Sequence, residues 1–243
     1  MAPRPGRRRI FLMRHGHVDY FAPGLKDPRE AVLTEEGEAQ ARAAGEALSE
    51  IPFDIAVSSG LKRTRRTAEL VLAANDAPPD LEDEPGLEEL RSGRYYEALE
   101  KQELAARLAF CFDDADAPGA EFLPNGELFA DAEARASDAI RRLCTERDWR
   151  VALVVAHEGI NRLLLGWATG GGLSTVAAFE QDLACVNVLD VDITPDDDGG
   201  LQLERIILKS MNVTPYDMVK HGLPKTALEH LFDVDFGGVR PRA

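Results

Sequence analysis

Residues 151–156, Val-Ala-Leu-Val-Val-Ala, form an unbroken apolar run. A strand with one solvated face alternates polar and apolar side chains. A run with no polar member belongs to a strand covered on both faces, as in a parallel sheet flanked by helices. Ile10-Phe11-Leu12-Met13 and Asp54-Ile55-Ala56-Val57 are further short strand-like segments. Helical stretches lie between them. One opens after Thr34, a suitable N-cap, with Glu35 and Glu36 where the helix dipole favours negative charge, and reaches Leu48. Others are expected near Leu61–Ala74, over 97–110, over 127–147 and from about Asn161, with a loop at 113–126. Val186–Ile193 and Leu201–Leu208 flank a Pro-, Asp- and Gly-rich turn and read as a hairpin at the end of the sheet. This alternation predicts an α/β fold: a single domain, a mostly parallel sheet with helices on both faces. The expected limits are a disordered basic leader at 1–9, the α/β domain at 10–209 with a helical insertion at 94–130, and a C-terminal tail at 210–243, with a helix near Lys225–Phe232.

A net charge of −15 argues against nucleic acid as a partner. The basic run Arg4, Arg7, Arg8 and Arg9 could be a nucleic-acid or targeting arm; the reading preferred is a short leader ahead of the first strand, because no apolar segment of signal-peptide length follows it. No stretch approaches the ~20 apolar residues of a membrane span. Cys111, Cys144 and Cys185 are far apart and include no Cys-x-x-Cys pair, which fits reduced thiols in a cytoplasmic protein and neither a disulfide framework nor a zinc site.

Three of the strand-like segments end in polar, titratable residues: Arg14-His15, Ser58-Ser59 and His157. In open α/β sheets the ligand crevice lies outside the carboxyl ends of the strands, so these ends should converge, with Arg63 pointing in from the helix after the second strand. The set suits a phosphoryl group. Two arginines offer fork-shaped donors that stay charged, and two histidines can divide the work of nucleophile and donor. A carboxylic acid is then needed to protonate the departing alkoxide, and Glu88 and Glu89 are the candidates.

Met13-Arg14-His15-Gly16 resembles the signature of the histidine phosphatase superfamily, the phosphoglycerate mutase-like proteins. Five further segments resemble that family's pattern in the same order: Leu33–Gly37 with Gln40-Ala41, Ser58–Thr64 with Thr67-Ala68, Leu87–Glu89 with Gly93, Pro124–Glu127, and Val154–His157. The resemblance implies a phosphatase hydrolysing a small phosphomonoester, with His15 as the phosphorylated nucleophile. It places Arg14, Arg63 and His157 on the phosphoryl oxygens, and Glu89, chosen over Glu88 by its spacing to Gly93, as proton donor. It implies no metal and no cofactor. Three positions depart from the pattern: His17, where an acidic or amide residue is more usual, Gly60 in place of proline, and Glu158 in place of glycine. His17 and Glu158 are therefore possible substrate-binding residues. Tyr95, Tyr96, Phe110, Phe112 and Phe122 either cap the substrate or pack the insertion onto the domain, and His221 and His230 are expected in solvent.

Two other functions stay open: a phosphoglycerate mutase-type phosphotransferase, and a non-catalytic module that binds phosphorylated ligands. The resemblance implies that cofactor-dependent mutases carry a longer insertion between the positions of Gly93 and Gly126, so the short segment here favours water as acceptor, and an intact His15 and Glu89 favour catalysis over binding alone.

Overall fold

The computed structural model describes residues 3–93 and 101–237. Among these residues the strands are β1 (Gly6–Arg14), β2 (Ile55–Ser58), β3 (Leu81–Asp83), β4 (Val151–Ala156), β5 (Val186–Pro195) and β6 (Leu201–Val213). The α-helices are α1 (Glu35–Ala47), α2 (Lys62–Leu72), α3 (Lys101–Ala109), α4 (Phe129–Glu146), α5 (Glu158–Thr169) and α6 (Ala227–Phe232). The strands form one sheet in the order β3-β2-β4-β1-β5-β6. β1, β2, β3 and β4 pair in parallel, while β5 and β6 extend the sheet as an antiparallel hairpin.

The apolar runs of β1 and β4 lie at the centre of this sheet and feed both faces. On one face Ile10, Leu12, Ala152 and Val154 pack against Ala136 and Ile140 of α4 and Ile160 and Leu163 of α5. On the other, Phe11, Met13, Leu153 and Val155 pack against Ala44 of α1 and Ala68 and Val71 of α2. Period-2 side-chain alternation between two apolar layers is what removes polar residues from both strands.

The basic leader expected through residue 9 is not a leader over Gly6–Arg9, which form the first half of β1. Arg7 makes a two-pronged pair with Asp192 (2.7 and 3.0 Å), and Arg9 does the same with Asp190 (2.7 and 2.9 Å), both carboxylates lying on β5. Arg8 points to the opposite face, where it is buried, donates to the Trp149 carbonyl at 2.8 Å and stacks 5.1 Å from the Trp149 ring centroid. Each arginine therefore has a partner that local sequence cannot reveal. Two other boundaries also shift. β6 runs past residue 209 to Val213, and α5 begins at Glu158 rather than near Asn161. The expected insertion at 94–130 contains α3; residues 94–100, including Tyr95 and Tyr96, lie outside the described residues.

Candidate active site

Arg14 and His15 leave the end of β1, Ser58 and Ser59 the end of β2, and His157 the end of β4, so all three strand ends open on the same side of the sheet. The His15 and His157 rings stand edge to face with centroids 5.2 Å apart. Arg14 and Arg63 are close enough that their charges act on both imidazoles. A cavity of about 540 Å³ opens in front of them, lined at this end by Arg14, His15, Tyr20, Arg63, Glu89 and Glu158.

Hydrogen bonds fix the proton on each imidazole. His15 Nδ1 lies 2.7 Å from the Gly16 carbonyl oxygen, which can only accept, so Nδ1 carries the proton and Nε2 keeps its lone pair. At His157 the order is set by a relay. Thr64 Oγ1 donates to the Leu61 carbonyl at 2.8 Å, so it accepts from Ser59 Oγ at 2.9 Å. Ser59 Oγ in turn accepts from His157 Nε2 at 2.8 Å, which leaves the proton of neutral His157 on Nε2. His157 Nδ1 is buried and meets no partner among the described residues, and the same holds for Nε of Arg14 and Nε of Arg63. Buried polar atoms are nearly always paired, so the orphaned N–H groups of Arg14 and Arg63 beside the two histidines mark where a ligand rich in oxygen acceptors fits. Burial, and after it the charges of Arg63 and Arg14, hold the His15 pKa well below the ordinary histidine value. Burial, then Arg63 and His15, act in the same direction on His157. Both rings are neutral at neutral pH.

Glu89 sits over the N-terminus of α5. One oxygen accepts from its neighbour Leu90 N–H at 3.0 Å and from Ile160 N–H at 3.3 Å, and the other from Gly159 N–H at 3.3 Å. No side-chain cap serves α5, so this carboxylate satisfies its first free N–H groups and lets the helix start at Glu158. The approach needs glycine at 159: a Cβ there would come within 2.5 Å of Leu90 Cδ1 and 2.7 Å of Glu89 Oε1. Burial raises the Glu89 pKa above the usual carboxylate value, outweighing the backbone donors and Arg63. Glu88 turns instead to the cavity rim, where it pairs with Arg29 at 2.9 Å.

Glu158 lies between two arginines, 3.0 Å from Arg14 Nη1 and 2.9 Å from Arg162 Nη2. Arg14 also donates to the Gln181 carbonyl at 2.6 Å. The glutamate thus orients a guanidinium of the cavity and stands in its wall. His17 is placed differently. Its Nδ1 lies 2.8 Å from Thr34 Oγ1, the N-cap of α1, and it is not among the residues lining the cavity. The tight seat of this turn, where a Cβ on Gly37 would lie 2.1 Å from the His17 carbonyl oxygen, directs His17 to α1 instead of the crevice. Phe112 and Phe122 line the cavity, Phe110 packs on Phe236, and His221 and His230 are exposed.

Four contributors were not given roles by the sequence. Tyr20 lies with its ring centroid 5.6 Å from the Arg63 guanidinium, and nothing in its surroundings in the chain signals this. Arg135 on α4 pairs with Glu127 at 2.7 Å and donates to the carbonyls of Gly86, Glu88 and Glu89, which pins the segment carrying Glu89. Ser59 sets the His157 tautomer through Thr64, and Arg162 completes the Glu158 pair, which an i,i+4 Glu–Arg spacing could have suggested.

Residues 10–199 match the family model of the histidine phosphatase superfamily, branch 1. The chain is 30% identical over 188 residues to an adenosylcobalamin/alpha-ribazole phosphatase of Salmonella typhimurium, covering 75% of this chain and 90% of the relative. It is 28% identical over 172 residues to a probable phosphoglycerate mutase of Serratia proteamaculans, covering 69% of this chain and 74% of that one. Among solved structures it resembles a putative alpha-ribazole-5'-P phosphatase of Escherichia coli, with a TM-score of 0.63 and 26% identity over 84% of this chain and 96% of the other. With the fold, the crevice and the ordered segments in agreement, the chain belongs to the histidine phosphatase superfamily, branch 1.

Proposed function

We propose that the chain hydrolyses a phosphomonoester in two steps through a phosphohistidine on His15. The observation that carries this is the pair of orphaned donors, Nε of Arg14 and Nε of Arg63, beside a histidine whose lone pair is on Nε2. In the first step Nε2 attacks phosphorus, the phosphorus–oxygen ester bond breaks, and Glu89 gives its proton to the departing alkoxide. In the second, water attacks phosphorus, its proton passes to the Glu89 carboxylate, and the phosphorus–nitrogen bond breaks to release phosphate. Arg14 and Arg63 hold the phosphoryl oxygens throughout. His157 joins them once the phosphate dianion has drawn a proton onto its Nδ1, because an opposite charge at contact distance favours the imidazolium. Charge neutralisation falls to these side chains, so activity should survive EDTA. The protein is placed in the cytoplasm on its cysteines; among the described residues no helix is long and apolar enough to cross a membrane.

The test uses p-nitrophenyl phosphate. Acid-quenched enzyme should carry phosphate on His15, inorganic phosphate should accumulate, and His15→Ala should lose turnover by at least about 10³-fold while keeping its melting temperature within a few degrees. Wild-type turnover in the alanine variant would overturn the mechanism. Phosphate moved to a second hydroxyl in place of water would establish the phosphotransferase reading, and binding without turnover the non-catalytic one.

A further inference from the structure

Away from the histidines the cavity lining includes Leu104 and Leu108 of α3, Phe112 and Phe122, and Leu231 and Phe232 of α6, with Lys26, Asp27, Arg29 and Arg91 as charged members. The apolar side chains belong to two clusters: Leu104, Leu123 and Phe232 in one, with Phe112 joining the main core. Phe21 closes the side, with its ring centroid 5.5 Å from that of Phe232.

The wall formed by α6 is tied down at several points. Thr226 and Glu229 cap the helix reciprocally, and the Ala227 N–H donates to Glu180 at 2.9 Å. Glu180 pairs with Arg162 at 3.0 Å, Arg162 with Glu158, and Glu158 with Arg14. One chain of charged groups thus runs from the phosphate end of the cavity to the helix that closes its apolar end.

We infer that this chamber is the subsite for the alcohol part of the substrate, and that the substrates are phosphomonoesters of bulky, apolar alcohols, aliphatic or aromatic. The inference rests on the phosphatase reading and adds a substrate class to it. A cavity of about 540 Å³ far exceeds a phosphoryl group and falls in the range of sites that take drug-sized ligands. A polyhydroxylated leaving group in contact with these leucines and phenylalanines would surrender hydrogen bonds to water without replacing them. An apolar one gains with each methylene it buries, roughly fourfold in affinity for a methylene fully removed from water.

The test compares n-propyl and n-hexyl phosphates, whose primary alkoxides leave almost equally well, so that their difference reports the chamber and not the chemistry, with glycerol phosphate, a somewhat better leaving group, as the polyhydroxylated control. The kcat/KM for n-hexyl phosphate should exceed that for n-propyl phosphate by about tenfold or more, with glycerol phosphate lowest. Leu108→Ser and Leu231→Ser, both at half-buried positions, should each reduce the hexyl-to-propyl ratio at least threefold, with folding checked by circular dichroism. Calorimetry with propyl- and hexylphosphonate, which cannot be hydrolysed, reads the same preference without turnover; hexylphosphonate should bind about tenfold more tightly. Equal phosphonate affinities, or a preference for glycerol phosphate, would overturn the inference, while phosphate trapped on His15 would leave the phosphatase reading standing. Tenfold tighter hexylphosphonate binding with no turnover of any ester would uphold the chamber and remove the catalytic reading.

Discussion

Glu89 and Glu88 are adjacent in the chain and end in opposite environments, one on the α5 N-terminus and one on Arg29 at the rim. Burial raises the Glu89 pKa, which favours the protonated carboxyl that a proton donor needs. Glu89→Gln should slow hydrolysis of an alkyl phosphate by ~10²–10⁴-fold, slow that of p-nitrophenyl phosphate far less, and remove the alkaline limb of the pH–rate profile. Glu88→Gln should do neither. A leaving-group-dependent loss in Glu88→Gln would move the acid by one residue. A raised pKa also means that stability from this group is present below the unfolded carboxylate value and lost as pH rises through the folded one. Glu89→Gln should therefore melt higher than wild type at pH 8, with the gain shrinking towards pH 5. At this scale the convergence of His15, Arg14, Arg63 and His157 was legible, because each lies at or just after a strand end. Arg135 and Tyr20 were not, because each acts by touching a segment remote in the sequence. His17 was left open between pocket and loop because the turn that points it at Thr34 is a matter of backbone approach, not residue type.

The elements were legible wherever periodicity and a cap spoke together. Thr34 caps α1 as expected, accepting from the Gly37 N–H, and the hairpin of β5 and β6 lies at the sheet's end. The first half of β1 carried no such local signal, whereas α6 lies within the helix expected near Lys225–Phe232. The start of β1 is defined by aspartates on β5, more than 180 residues away in the chain. α6 is only six residues long and owes its place to α3, to Glu180 and to its capping box. A helix that short is marginal on its own, so its caps should be visible in its local stability. Removing the Thr226 side chain should cost about 1 kcal/mol. Native-state hydrogen exchange should show α6 amides opening about fivefold more readily in Thr226→Ala, with β4 amides unchanged; equal acceleration of both would show that α6 does not open separately.

For the molecule as a whole, the largest charged anomaly is a pair of buried neutral histidines inside a chain of net charge −15. Both pKa values are depressed by burial first and by arginines second. The unfolded chain takes up protons on these rings as pH falls through ~6.5, and the folded chain does not. Their contribution to stability is therefore full above that value and is lost as pH drops below it. The melting temperature should fall between pH 7 and pH 5, and should fall less steeply in a His15→Asn variant. An identical slope in the variant would remove His15 from the account.

The order of strands in the sheet has a consequence for how the chain comes into being. β1 is made first, yet its two neighbours are β4 and β5; Arg9 pairs with Val151 on one side and with Asp190 on the other. The strand that carries His15 at its end is therefore synthesised before either of its flanking strands. Until they follow, Ile10–Met13 has two open edges and two bare apolar faces, the condition that invites association between nascent chains. Pairings this distant also close late and slowly once the chain is free. The pairing of β1 with β4, and with it the approach of His15 to His157, can form only after residue 157 has been synthesised.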